Sequence, residues 1–152
     1  MESHPLVKKY LVPGHRAVAG RAVALSGLVT AMIDTSDGLL GDLGHICEES
    51  GTGADIDSMR LPLSDELLEA SREIGRDPLE FVLGWSDDYE LIITCPPGHV
   101  EKVVTVLARA GVESVSEVGV LTPNRAAIRM IEEDGRARRL DPSGWDHFRG
   151  KS

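Results

Sequence analysis

The spacing of apolar residues predicts several amphipathic helices along the chain. Apolar positions recur every three or four residues over 15–26, 38–50 and 100–110, and a glycine follows each run. The predicted inner faces are Val18, Ala22 and Leu25 in the first helix, Leu39, Leu43, Ile46 and Cys47 in the second, and Val100, Val103, Val104 and Leu107 in the third. On the second helix Asp42, His45 and Glu49 are expected to face water, which makes His45 a surface residue rather than a ligand.

Two shorter helices are predicted in the middle of the chain. Ser64 is a favourable N-cap, Asp65 and Glu66 fall in the first turn where the helix dipole favours acids, and Gly75 ends the helix. Residues 78–83 form one further helical piece, beginning at a proline.

Runs of β-branched and aromatic residues predict the strands. They cover 28–34, 54–57, 89–95, 115–120 and 126–131, and Asp134-Gly135 predicts a type I′ hairpin back along 136–140. Helices and strands do not alternate strictly, so we predict an α+β fold, a two-layer or three-layer sandwich of helices on a mixed β-sheet. Residues 1–13 are interpreted as a lead-in or linker, and residues 14–152 as one α+β domain.

Composition narrows the classes of function. The formal net charge is −9 over 152 residues, and the arginines near the end alternate with acids, which argues against nucleic acid as a partner. A long apolar span is absent from the sequence, so no membrane association is expected. Cys47 and Cys95 are far apart, and the five histidines lack paired spacing, so we predict a reduced cytoplasmic protein without a zinc site.

The most informative motif is the acidic turn after the first predicted strand, Ala31-Met-Ile-Asp-Thr-Ser-Asp-Gly-Leu-Leu40. A strand that leads into a helix N-terminus points backbone N–H groups at an anion, but carboxylates repel phosphate. Asp34 and Asp37 suit this place if Mg²⁺ lies between them and a phosphate, because that ion binds one or two carboxylates together with phosphate oxygens. The simpler alternative is that Ser36 or Asp37 only caps the helix.

Two further motifs carry chemistry. Gly84-Trp-Ser-Asp-Asp-Tyr-Glu-Leu91 places three acids beside two aromatic rings. By itself it favours a solvated loop, but Asp87 facing a pocket could hold a metal or a cationic ligand, against Trp85 or Tyr89. In Gly144-Trp-Asp-His-Phe148, Trp145 either docks the chain end onto the body or stacks on a flat heterocycle.

Taken in order, these three motifs resemble the C-terminal half of the thiamine-monophosphate kinase family, over about residues 11–148. That family belongs to the superfamily of aminoimidazole ribonucleotide synthetase and selenophosphate synthetase. The resemblance implies an enzyme that transfers the γ-phosphoryl group of ATP to thiamine monophosphate, with Mg²⁺ as cofactor. It implies Asp34 and Asp37 as Mg²⁺ ligands, Ser36 as an ATP contact, and Asp87 and Trp145 as substrate contacts. It assigns no residue of this chain to catalysis as such.

The chain departs from the family pattern in two ways. Trp85-Ser86-Asp87 stands where the family usually has Gly-Gly-Glu, so the reach and the space at the substrate differ. The family enzyme also has a preceding ATP-binding domain and the main dimer interface. The resemblance therefore implies a missing N-terminal domain, a homodimer at full length, and a chain that is folded but inactive alone.

Two alternatives remain open from the sequence. One is a domain of another ATP-dependent enzyme of the same superfamily, acting on a different phosphorylated small molecule. The other is a non-catalytic ligand-binding or assembly module that uses the acidic loops for sensing.

Overall fold

The structure is a computed structural model that describes residues 7, 11, 14–84, 89–125 and 127–141. Its helices are α1 (Ala17–Ser26), α2 (Leu39–Ser50), α3 (Asp65–Ile74), α4 (Pro78–Leu83) and α5 (Val100–Arg109). Its strands are β1 (Ala31–Asp34), β2 (Gly53–Asp57), β3 (Leu91–Thr94), β4 (Gly119–Thr122), β5 (Ile128–Ile131) and β6 (Ala137–Leu140). Short 3₁₀ turns cover Ser58–Arg60 and Pro97–His99. Across these residues, no helix has the length and apolar character that crossing a bilayer requires.

The strands form a four-stranded mixed sheet and a separate antiparallel pair. The sheet order is β4-β2-β5-β6, with β2 parallel to β5 and the other neighbours antiparallel. The pair consists of β1 and β3, in a register that sets Ala31 opposite Thr94 and Asp34 opposite Leu91. Helices pack on a mixed sheet, which confirms the predicted α+β sandwich.

Two apolar clusters hold the described part of the chain together. The first joins α2 and α4 to the four-stranded sheet through buried residues that include Leu40, Leu83, Ile56, Ile128 and Met130. The second joins α1 to α5 through Ala19, Val23, Val103 and Leu107. Successive strand residues point to opposite faces, so in β3 Ile92 packs on the first cluster and Ile93 on the second. The β1–β3 pair therefore links the two clusters.

The buried face of α1 differs from the predicted one. Val18 and Leu25 are exposed, whereas Ala19, Gly20 and Val23 are buried. A Cβ atom on Gly20 would lie 3.4 Å from the Leu91 side chain and 3.6 Å from that of Met32. Close approach of α1 to the strand pair thus selects the face with small side chains. On α5, Val103 and Leu107 are buried as predicted, but Val104 is exposed.

Two local predictions near the chain end are also wrong in detail. The strand predicted over 115–120 is β4, Gly119–Thr122, because its partner β2 ends at Asp57 and leaves the residues before Val118 unpaired with it. The hairpin after β5 is not type I′. Among the described residues of that turn only Gly135 has a positive φ, +80°, and its N–H donates to the Glu132 carbonyl. This is a type I turn followed by a left-handed glycine, which a three-residue loop favours.

Candidate functional site

The acidic turn joins β1 to α2 and exposes three of its polar side chains. Asp34, Ser36 and Asp37 are exposed, whereas Thr35 between them is buried. Helix α2 begins after Gly38, which occupies the N-cap position with φ +86°, and no side chain caps it. The alternative in which Ser36 or Asp37 serves only as the helix cap is therefore wrong. Both side chains are directed to the surface of the turn instead.

Asp42 holds the backbone of the acidic turn. The prediction that Asp42 faces water is wrong. Asp42 is 1% exposed, and its Oδ2 accepts the N–H groups of Ser36 at 2.8 Å and Asp37 at 2.9 Å. A carboxylate in the first turn of a helix is favoured by the dipole and can satisfy free N–H groups near the N-terminus. The anion bound by these two amides is thus the protein's own side chain. Helical periodicity placed Asp42 on the outer face, and its position in the first turn was the signal that pointed to this role.

Asp37, Asp42 and His45 lie together at the turn. One ligand atom from each lies within 4.8 Å of the others, and His45 Nε2 is 4.0 Å from Asp37 Oδ2. His45 is a surface residue as predicted, with 59% of its side chain exposed. Asp34 does not belong to this group. Mg²⁺ prefers oxygen ligands and keeps part of its hydration shell, so an exposed carboxylate such as that of Asp37 fits this ion better than the imidazole of His45 does.

Thr35 attaches the acidic turn to the segment that enters β3. Its N–H donates to the Glu90 carbonyl at 2.9 Å, and its carbonyl accepts the Tyr89 N–H at 3.2 Å. Its hydroxyl Oγ1 also accepts the Glu90 N–H at 2.9 Å. The antiparallel pairing of β1 with β3 therefore brings Tyr89 and Glu90, from the second acidic motif, against the first.

Tyr89 and Glu90 are held in a distinctive way. Tyr89 has φ +52° and is 46% exposed, a strained conformation for a bulky residue of the kind that clusters at functional sites. The Glu90 carboxylate accepts two hydrogen bonds from the Arg16 guanidinium, at 2.6 and 2.8 Å. The hydrogen bond from Arg16 to Glu90 raises the pKa of Arg16, against the opposing effect of burial. This pair connects the start of α1 to the second acidic motif.

The two proposed substrate residues, Asp87 and Trp145, lie outside the described residues, as do Trp85 and Ser86. Their roles stay predictions. Of the five residues named from the sequence, the structure describes Asp34, Ser36 and Asp37. It places all three in one exposed turn at the end of β1.

Comparison with known proteins identifies the family to which the chain belongs. The sequence model of the family "AIR synthase related protein, C-terminal domain" matches residues 2–131. Thiamine-monophosphate kinase of Escherichia coli K12 is 38% identical over 144 residues, covering 94% of this chain and 42% of that protein. The one from Halobacterium salinarum is 38% identical over 133 residues, covering 87% and 41%. The chain thus spans less than half the length of these relatives.

Solved structures support the same assignment. The complex of AaThiL with AMPPCP and TMP superposes with a TM-score of 0.70 at 27% identity, covering 97% of this chain and 43% of that one. The Escherichia coli hydrogenase maturation protein HypE superposes with a TM-score of 0.74, covering 90% and 42%, but its 18% identity shows the fold alone. The resemblance to the thiamine-monophosphate kinases is therefore confirmed. The chain belongs to the family of AIR synthase related protein C-terminal domains.

Proposed function

We propose that this domain is part of an ATP- and Mg²⁺-dependent kinase that phosphorylates thiamine monophosphate to thiamine diphosphate. The observation that carries the proposal is the exposed acidic turn at residues 34–37, whose side chains are free of the helix cap. The kinase relatives and the AaThiL complex with an ATP analogue support the same reaction class.

In this proposal Asp34 and Asp37 bind Mg²⁺, and Ser36 contacts an ATP phosphate. Mg²⁺, when bound, neutralises charge on the phosphates, which is the main need of phosphoryl transfer. Because the N–H groups of Ser36 and Asp37 already donate hydrogen bonds to the Asp42 carboxylate, these amides are not available to phosphate. The turn therefore acts on the nucleotide through the Ser36 hydroxyl and through carboxylates that hold the cation.

The acceptor is proposed to bind next to this turn. Thr35 fixes Tyr89 and Glu90, two residues of the second acidic motif, against this turn. Asp87 would bind the acceptor, and Trp145 would stack on its flat ring. The Trp85-Ser86-Asp87 segment, where the family has Gly-Gly-Glu, is the part of the proposal most sensitive to the identity of the acceptor.

The remaining parts of the proposal concern the rest of the enzyme. We infer a preceding ATP-binding domain, joined through residues 1–13, a homodimer at full length, and a cytoplasmic location. The chain's coverage of about 42% of its kinase relatives supports a further domain in the active enzyme. The 152-residue chain alone is expected to be folded and inactive.

The decisive experiment is a kinase assay on the protein at its natural length, with ATP, Mg²⁺ and thiamine monophosphate. We expect thiamine diphosphate to form, and the Asp37→Asn variant to lose more than about 10-fold in turnover, because even the loss of a group that only supports a metal ligand costs about 10- to 100-fold. Asp65→Asn is the matched control, because Asp65 is also an exposed acid in the first turn of a helix, but away from the acidic turn. Its turnover should be unchanged.

Other outcomes separate the alternatives. Phosphorylation of a different acceptor, but not of thiamine monophosphate, would assign the domain to another enzyme of the superfamily. An absence of phosphoryl transfer to a panel of phosphorylated acceptors would favour the non-catalytic module. Robust turnover by the 152-residue chain alone would refute the inferred need for a further domain.

A further inference from the structure

Asp42 is a buried residue that fixes the backbone of the exposed acidic turn. It is buried at 1% exposure, whereas Asp37, five residues earlier, exposes 53% of its side chain. A buried carboxylate is expensive unless hydrogen bonds compensate its lost hydration. Here the compensation comes from two N–H groups of the acidic turn itself, which converge on the single oxygen Oδ2.

The carboxylate is itself firmly anchored. The Asp42 N–H donates to the Gly38 carbonyl, the first hydrogen bond of α2, and the helix is packed against the sheet through Leu40 and Leu43. The turn can therefore not shift relative to α2 without breaking both contacts to Oδ2. Hydrogen bonds to a charged group are stronger than neutral ones, so this arrangement fixes the backbone of Ser36 and Asp37.

We propose that Asp42 is a positioning residue for the cation and nucleotide site at the acidic turn. Its carboxylate occupies the backbone amides that would otherwise bind an anion directly, and it orients the side chains of Ser36 and Asp37 outward. The consequence is specific: phosphate reaches this turn through the cation, and the affinity for the cation depends on Asp42 although the Asp42 side chain is buried. This inference rests on the proposed function for the identity of the site.

Metal binding measured without turnover tests the proposal. The natural-length protein is titrated with Mn²⁺ as a paramagnetic probe for Mg²⁺, and the site of interest is the class of binding that Asp37→Asn removes. We expect Asp42→Ala to weaken that class by about 10- to 100-fold, as loss of a group behind a metal ligand typically does. Asp42→Asn should weaken it less but measurably, because its neutral amide oxygen accepts both N–H groups in weaker hydrogen bonds than the carboxylate does.

A matched control and a double variant separate positioning from general damage. In Asp77→Asn the lost carboxylate also accepts a backbone N–H, that of Leu79 at the start of α4, so Mn²⁺ binding should stay unchanged. Adding Asp42→Ala to Asp37→Asn should cause no further loss of Mn²⁺ binding. A purely structural role would instead lower the thermal midpoint of the metal-free protein and weaken every class of Mn²⁺ site together.

The proposal is overturned if folded Asp42→Ala binds Mn²⁺ as the wild type does, or if Asp37→Asn removes no class of Mn²⁺ site. If Asp42→Ala does not fold, Asp42→Asn decides: weaker binding than in Asp77→Asn supports the proposal, and equal binding overturns it.

The failure of this proposal can be distinguished from the failure of the proposed function. Mn²⁺ binding that depends on Asp37 and Asp42 in a protein without kinase turnover would refute the kinase and retain the positioning role. Kinase turnover together with Mn²⁺ binding that does not depend on Asp42 would refute the positioning role and retain the kinase.

Discussion

Thr35 shows how one residue can join two segments that are distant in sequence. It is buried between exposed neighbours, and its N–H, carbonyl and hydroxyl groups all bond to Tyr89 or Glu90. A backbone contact alone would extend the β1–β3 ladder by one step. The hydroxyl adds an acceptor for the Glu90 N–H, at the point where Tyr89 adopts a positive φ and the ladder hydrogen bonds would otherwise end.

We predict that Thr35→Val destabilises the protein by about 1–3 kcal/mol, because the isosteric valine leaves the Glu90 N–H without its acceptor. Thr35→Ser keeps the hydroxyl and should lose less than half as much. Urea unfolding followed by circular dichroism measures both free energies. Equal stabilities of the valine and serine variants would show that the hydrogen bond to Oγ1 contributes nothing.

At the scale of the elements, local signals predicted where helices begin and end. Ser64 accepts the Leu67 N–H as a cap and Gly75 ends α3 at φ +68°, as expected from their residue types. Local signals did not determine which face is buried. Helix α1 is rich in alanine and valine, so several faces are similarly apolar, and contact of Gly20 with Met32 and Leu91 decides between them.

The candidate site was predictable only in its parts. The exposure of Asp34, Ser36 and Asp37 could be predicted because these residues lie in a short run of polar residues that ends at Gly38, which is typical of a turn. Their proximity to Tyr89 and Glu90 depends on the pairing of β1 with β3 across more than fifty residues, which leaves no local pattern. Asp42 was misplaced for a related reason: helical periodicity describes the face that a residue occupies, not a hydrogen bond directed back at the preceding turn.

The start of β2 supplies a prediction at this scale. A Cβ atom on Gly53 would collide with the backbone carbonyl oxygens of Asn124 and Ala127, whereas one on Gly98 would meet no atom within 4 Å. Backbone atoms cannot move aside as a flexible side chain would, so we expect Gly53→Ala to destabilise by about 3 kcal/mol. Gly98→Ala is the control and should change stability by less than about 1 kcal/mol. Thermal unfolding of both variants measures the difference, and equal midpoints would contradict the close contact.

At the scale of the whole molecule, the site lies where two apolar clusters meet. Ile92 and Ile93 of β3 pack on different clusters, and the acidic turn follows β1, the partner of β3. Helix α2 carries Asp42 and belongs to the first cluster, while Arg16, which binds Glu90, directly precedes α1 of the second. The geometry of the site therefore depends on both clusters being formed and on the strand pair between them.

This dependence predicts that the described part of the chain unfolds as one cooperative unit. Leu107→Ala, in the cluster between α1 and α5, should lower the free energy of unfolding by about 2–5 kcal/mol, since Leu107 is only 4% exposed. If the clusters are coupled, native-state hydrogen exchange will show the same loss of protection at Leu43 and Ile46 of α2 as at Val103 of α5. Loss confined to α1 and α5 would mean that the clusters open independently, and the acidic turn would then keep its contacts to Asp42 while Glu90 loses its ion pair with Arg16.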